Sequence, residues 1–186
     1  MRTGLEILNR IRTGDIKIEP FDGRLVNPNS VDLRLGPTML EVLAPDRHDA
    51  RTLATPDETR EVLPDADGGW LLWPNRLYLG ATLEYTETHN LIPVICGKSS
   101  VGRKGVFVHV TAGFGDVGFC GNWTLEILTV HPIKLFPGDR ICQLHYHAPT
   151  GDCSVTYGER GRYQGDRAPS AAKPERINPN PTEAAE

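Results

Sequence analysis

The apolar positions of this chain come in short runs. Over residues 30–36, Ser-Val-Asp-Leu-Arg-Leu-Gly, they alternate with polar ones, placing Val31, Leu33 and Leu35 on one side and Asp32 and Arg34 on the other. A period of two is that of a half-buried strand. Strand-like runs recur at 70–73, 77–85, 91–96, 106–112, 122–130, 132–136 and 140–147, with Pro137-Gly138-Asp139 as the turn before the last. Within 122–130, Trp123, Leu125 and Ile127 share one face, and Thr124, Glu126 and Leu128 the other. Helical spacing is clear at the N-terminus. Thr3-Gly4-Leu5-Glu6 is a capping-box pattern, in which the Thr3 hydroxyl caps first-turn amides and Glu6 reaches back. Leu5, Leu8 and Ile11 follow and Gly14 is the stop, which predicts a helix over 3–13. Residues 44–69 are polar and broken by Pro45, Pro56, Pro64 and Gly68-Gly69, so they read as an excursion with at most short strands. The pattern divides the chain into one domain over 1–166 and a tail over 167–186. With Pro169, Pro174, Pro179 and Pro181, that tail is expected to be mobile or ordered over a site. No internal repeat is present.

Even spacing of short strands, with 19 glycines and 15 prolines as punctuation, favours a mostly β barrel or sandwich of jelly-roll type. A length of 186 residues suits a single core. A net charge of −4 without a Lys/Arg run disfavours a nucleic-acid polymer as partner but leaves room for a small anionic ligand. No apolar stretch approaches the ~20 residues of a membrane span. The opening Met1-Arg2-Thr3-Gly4 leads into an amphipathic pattern and not a signal-peptide core. Cys96, Cys120, Cys142 and Cys153 form no C-x-x-C pair, and three of them sit in apolar runs, as reduced structural thiols of a cytoplasmic protein do. His145 and His147 flank Tyr146 on one strand face, a pair that could hold a metal but reads more simply as solvated.

The densest chemistry lies between Gly97 and Glu126. Lys98-Ser99-Ser100-Val101-Gly102-Arg103 gathers two cations, two hydroxyls and a glycine into six residues. A helical turn starting there would present free amides and put Ser99 and Arg103 on one face, which suits phosphate oxygens; an ordinary capped turn with exposed charges is the plainer reading. Glu126 is a carboxylate within an apolar strand, ten residues after Asp116 in a Gly-rich loop. Such a position is ordinarily solvent-facing. In a partly apolar pocket it would have the raised proton affinity of a general acid/base.

These segments together resemble the dCTP deaminases, a branch of the trimeric dUTPase fold. The family pattern [RK]-S-S-x-[GA]-R is matched by Lys98–Arg103, and H-x-T-A by His109-Val110-Thr111-Ala112. I-D-x-G-[FW]-x-G is matched from Asp116 through Gly118-Phe119 to Gly121, and T-L-E by Thr124-Leu125-Glu126. Val26 to Leu35 resembles V-x-P-x-S-x-D-x-R-L, Gly138 to Leu144 resembles G-x-x-I-x-Q-L, and Arg162-Tyr163-Gln164-Gly165 resembles K-Y-Q-G. The likeness runs over about residues 3–169.

The resemblance implies a distorted jelly-roll barrel with a short N-terminal helix and a few short helices. It also implies a homotrimer with active sites between neighbouring subunits. Glu126 matches the catalytic glutamate, Ser99 and the Ala112 carbonyl the groups that position water, and Arg103 the cation beside Glu126. Lys98, Ser99, Ser100, Gln143 and Tyr157 match phosphate contacts, with Arg162, Tyr163 and Asp166 in the late motif. Asp116 matches the acid that receives the deoxyribose 3′-hydroxyl, and Phe119 the aromatic under the sugar. Val101, Gly102, His109, Thr124 and Leu125 complete the matched substrate-binding set. The zinc signature of most nucleobase deaminases is absent, and the family uses no catalytic metal. Mg²⁺ is expected as the partner of the triphosphate only. Gly113-Phe114 resembles the two-activity members, which carry dCTP through dUTP to dUMP, with Asp116 also activating the second water. The substrates implied are dCTP and dUTP, with dTTP as a candidate inhibitor.

Gly115 stands where the family has Ile, Val117 where many members have Pro, Arg162 for Lys and Asp166 for Gln. The Gly115 change suggests a more flexible loop or one shaped for a modified base. An acid at 166, beside a triphosphate, is electrostatically odd unless it faces Mg²⁺. Besides the two-activity enzyme, the sequence admits a deaminase alone, a dUTPase without deamination, and a non-catalytic nucleotide-binding protein. Glu126 with Arg103 favours a deaminase.

Overall fold

The computed structural model describes residues 1–44, 56–109 and 111–173. Helix α1 (Gly4–Thr13) opens the chain, and Thr3 caps it by accepting from the Glu6 amide at 3.3 Å. Gly14 closes it in the left-handed conformation at φ 88°. Half of the predicted capping box forms. The Glu6 carboxylate does not turn back, because Arg10 Nε donates to it at 2.8 Å one turn along.

Three antiparallel sheets follow. The largest runs β7 (Ile92–Gly97), β12 (Arg140–His147), β2 (Val31–Val42), β5 (Leu77–Thr82), β10 (Thr124–Thr129), β8 (Val106–Val108), with β3 (Thr59–Glu61) added to the far end of β2. A second comprises β1 (Ile16–Glu19), β6 (Tyr85–Thr88) and β9 (Cys120–Gly121). A third pairs β4 (Trp70–Leu72) with β11 (Ile133–Leu135). They wrap a nearly closed barrel around Leu33, Leu35, Met39, Leu125, Ile127, Leu144 and Tyr146, each almost wholly buried. A mostly β barrel with few helices is what the strand spacing predicts.

Several elements differ from the sequence reading. The strand at 30–36 is neither short nor half-buried: β2 has 12 residues, and Asp32 on its supposed solvent side is only 2% exposed. The Asp32 carboxylate is bound by Lys98 Nζ and accepts from Asn27 Nδ2 at 2.7 Å, so the polar face is covered by ion pairs instead of water. The run 77–85 is two strands in two sheets. Glu84 makes the corner, buried against Arg34, whose amide and Nε donate to it at 2.8 and 2.6 Å. The run 106–112 ends its ladder at Val108, because His109 adopts φ 55°, a conformation that cannot continue a strand; Val110 lies outside the described residues. β1, β9 and helix α3 (Tyr157–Arg160) are too short to leave a periodic signal. Residues 45–55, part of the predicted excursion, and 174–186, most of the predicted tail, are also outside the described residues. All four cysteines are free thiols. His145 and His147 are half-buried and share a hydrogen bond at 3.1 Å, so they are not a freely solvated pair.

Candidate active site

Strand β10 carries the central carboxylate. Leu125 and Ile127 on its inner face are fully buried, each contributing about 2 kcal/mol. Its outer face therefore has a fixed direction, and Thr124 and Glu126 project from it into a cavity of about 360 Å³. Asp116, Phe119, Tyr157, Tyr163 and Asp166 line the same cavity, with His109, Ala112 and Phe114 at its rim. Its floor is aromatic. The Phe119 ring lies 4.5 Å from Trp123 and 5.4 Å from Tyr157, centroid to centroid. Burial, the main cause, pushes the Tyr157 hydroxyl pKa above its ordinary value. Trp123 is fixed by its indole N–H, which donates to Thr86 Oγ1 at 2.9 Å.

The loop from His109 to Phe119 forms the wall facing Glu126. Ile95 N donates to the Gly113 carbonyl at 2.7 Å, and a Cβ on Gly113 would stand 2.4 Å from the Ile95 carbonyl oxygen. Gly113 therefore has a steric reason of its own: only glycine permits this approach. Gly115 is buried, and a Cβ there would stand 2.5 Å from the Trp123 ring. A side chain at 115 would collide with Trp123, so glycine here has a packing reason. His109 links this loop to the carboxylate. Its Nε2 contacts the Ala112 carbonyl, and its Nδ1 lies 3.5 Å from Glu126 Oε2. The Nδ1 atom is buried without a hydrogen-bond partner of its own, so the imidazole sits between the loop carbonyl and the carboxylate.

The C-terminal segment lies over the opening. Asn122 N donates to the Asp166 carbonyl at 2.8 Å, and Gly165 N to that of Cys120 at 2.7 Å. Asp166 is half-buried, and Lys173 Nζ donates to both its oxygens at 2.7 and 2.9 Å. Lys173 also lies 5.0 Å from the Tyr163 ring centroid. The acid that looked anomalous beside a triphosphate is thus neutralised. Lys173 is the residue that sequence reasoning missed; it is one of three cations in a Pro-rich tail, with nothing in the sequence to set it apart from Arg167 and Arg176. Residues 167–173 are packed, with Pro169 buried and Ser170 N donating to Thr124 Oγ1 at 3.4 Å.

Apart from Tyr157, Tyr163 and Asp166, which line this cavity, the matched phosphate residues lie elsewhere on the chain. Ser99 begins a single helical turn, α2 (Ser99–Gly102). Lys98, Ser99, Gly102 and Gln143 line a second hollow, which meets the first at His109 and Phe114. Ser100 and Val101 face a third, against β11. Arg103 is exposed and lines neither of the first two hollows. Within one chain, then, Ser99 and Arg103 are not brought to Glu126. Lys98 is tied to Asp32, and Gln143 Oε1 accepts from Ser30 Oγ at 3.0 Å. Arg162 is exposed, with Nη1 donating to the Lys173 carbonyl at 3.3 Å. The Leu125 side chain is fully buried, so it can meet a nucleotide only through its main chain.

A β-barrel with two carboxylates over an aromatic floor is the setting of a nucleotide-processing site. The family model for dCTP deaminase-like proteins matches residues 1–148, and the chain belongs to that family. It is 48% identical over 172 residues to "dCTP deaminase, dUMP-forming" of Leptospira biflexa, covering 89% of this chain and 90% of that one. Proteins of the same name from Cytophaga hutchinsonii (48% over 162 residues) and Clostridium botulinum (44% over 162 residues) each cover 87% of this chain and 89% of their own. Among solved structures, the 2′-deoxycytidine 5′-triphosphate deaminase of Agrobacterium tumefaciens superposes with a TM-score of 0.58 at 20% identity. That alignment covers 79% of this chain and 48% of the other, and it supports the fold alone.

Proposed function

We propose that the protein deaminates dCTP to dUTP and hydrolyses the dUTP to dUMP and pyrophosphate, supplying dUMP for thymidylate synthesis. The observation that carries this reading is the shared cavity. Glu126 and Asp116, ten residues apart in sequence, line one pocket over Phe119 and Trp123. Relatives at 44–48% identity over nearly their whole length carry the dUMP-forming name.

In the proposed reaction the cytosine lies toward Glu126. Water attacks C4 and Glu126 takes one of its protons and passes it to N3; the carboxylate then takes the second, from the new hydroxyl, and passes it to the amine, so that the C4–N bond breaks and ammonia leaves. The Ala112 carbonyl and Ser99 hold that water, and Arg103 offsets the negative charge. His109, 3.5 Å from Glu126, helps to place that side chain against the loop. Asp116 receives the 3′-hydroxyl and, for the second step, activates water toward the α-phosphate. Phe119 packs under the sugar. Lys98, Ser99, Ser100, Gln143, Tyr157 and Arg162 attend the triphosphate, which enters as its Mg²⁺ complex. Asp166, the acid that could have faced this ion, is instead paired with Lys173. Bound with the triphosphate, Mg²⁺ would offset the phosphate charge.

Ser99 and Arg103 lie away from Glu126 in one chain, which supports a site completed by a neighbouring subunit in a homotrimer. We place the enzyme in the cytoplasm on its four free thiols; no described helix is long and apolar enough to cross a membrane. dTTP, a pyrimidine triphosphate of the same shape, is the proposed inhibitor.

Incubation with dCTP and Mg²⁺, followed by ion-exchange separation, tests the reading. Appearance of dUMP and pyrophosphate with little free dUTP is expected. Accumulation of dUTP would limit the enzyme to deamination, and hydrolysis of added dUTP with dCTP untouched would remove Glu126 from its role.

A further inference from the structure

Outside the cavity, one group of side chains has metal-ligand chemistry. On the small sheet, Glu87 of β6 pairs with Cys120 of β9 across the ladder. His89 follows Glu87 by two residues, so its side chain leaves on the same side. The imidazole, carboxylate and thiol ligand atoms of these three residues all lie within 4.8 Å of one another, the only such group among the described residues. His89 Nε2 is 2.8 Å from Glu87 Oε1, and Tyr85 OH donates to the other oxygen at 3.4 Å. His89 is 67% exposed at its side chain and Glu87 27%, while Cys120 is 8% exposed. Entry from solvent is therefore open, and the thiol forms the inner wall.

We propose that Glu87, His89 and Cys120 bind a zinc-class divalent ion, with a fourth position open to water. A thiolate and an imidazole select a borderline-soft ion over Mg²⁺ or Ca²⁺, which take oxygen ligands. Three ligands of these types with one open position is a recurrent zinc arrangement. Binding breaks the Cys120 S–H bond, gives that proton to solvent and forms the metal–sulfur bond. The Glu87–His89 hydrogen bond opens slightly, because ligand atoms on a tetrahedral ion stand roughly 3.3 Å apart. The Lys17 ammonium, across the ladder from Glu87, is occupied by Glu19 at 3.3 Å and does not compete.

The site sits behind the strand that anchors the closing segment. The Cys120 amide donates to Gln164 Oε1 at 3.1 Å and its carbonyl accepts from Gly165. An ion there stiffens the strand holding Tyr163 and Asp166 over the cavity.

The test is titration of the untagged full-length protein with Co²⁺ in the absence of nucleotide. A near-ultraviolet thiolate-to-cobalt charge-transfer band is expected, saturating at one ion per chain and displaced by Zn²⁺. Cys120→Ser should abolish it, and His89→Ala, at an exposed position that folding tolerates, should weaken binding by roughly tenfold or more. Cys153→Ser, at an exposed cysteine elsewhere, should leave it unchanged. Absence of the band in excess Co²⁺, or its persistence in Cys120→Ser, overturns the proposal.

Discussion

At the residue scale, Glu126 and Lys98 carry the sharpest expectations. Glu126→Gln keeps the shape of the side chain and removes the proton acceptor. The rate of ammonia release should fall by ~10²–10⁴-fold while nucleotide affinity stays within a few-fold, measured by ammonia assay and equilibrium binding. Unchanged turnover would show that the carboxylate is a bystander. Lys98 has a structural duty besides its matched phosphate role, because its ammonium offsets the charge of Asp32, which is 2% exposed. Arg140, at 3.7 Å and with a 60% exposed side chain, is a poor substitute. Lys98→Ala should lower unfolding free energy by about 3 kcal/mol, seen as a reduced urea midpoint at constant slope. A stability unchanged within error would make Lys98 a ligand-binding residue only.

At the element scale, β12 bears a pH-sensitive group, His145. Burial first, then His147 and the N-terminal ammonium, depress the His145 pKa below its ordinary value. The chain start is held beside it, with Arg2 N donating to the Tyr146 carbonyl at 2.8 Å. A depressed folded pKa means that the unfolded chain binds more protons. The stabilisation is complete above about pH 6.5 and is lost as pH falls through that value towards the folded pKa. Melting temperature should therefore drop on acidification over this window, and His145→Gln should flatten that part of the profile. An identical slope in the variant would place the acid sensitivity elsewhere.

At the scale of the whole molecule, the separation of Ser99 and Arg103 from Glu126 is the fact to explain. In the proposed trimer each site takes its glutamate from one chain and its serine from the next. Glu126→Gln and Ser99→Ala are then each inactive, but mixed by unfolding and refolding together they regain activity, with about one quarter of sites intact under random assembly. If all catalytic groups of a site lie in one chain, the mixture stays inactive.

Residue order alone determined much of this. The run Trp123 to Leu128 fixed which side of β10 holds Glu126, because side chains alternate on a strand. The segments from Lys98 to Glu126 marked the family. Thr3 and Gly14 set the ends of the first helix, because caps are local. What the tertiary structure decided was everything that rests on distant partners. Asp32 reads as a solvent position until Lys98, 66 residues away, covers it. The corner at Glu84 needs Arg34, and β1 and β9, four and two residues long, exist only as partners of β6. The packing reason for Gly115 is not visible until the Trp123 ring lies against it, and Asp166 looks like a misplaced acid until Lys173 reaches it. Local pattern reports propensity and face; ion pairs, short edge strands and close packing depend on contacts that only the folded chain makes.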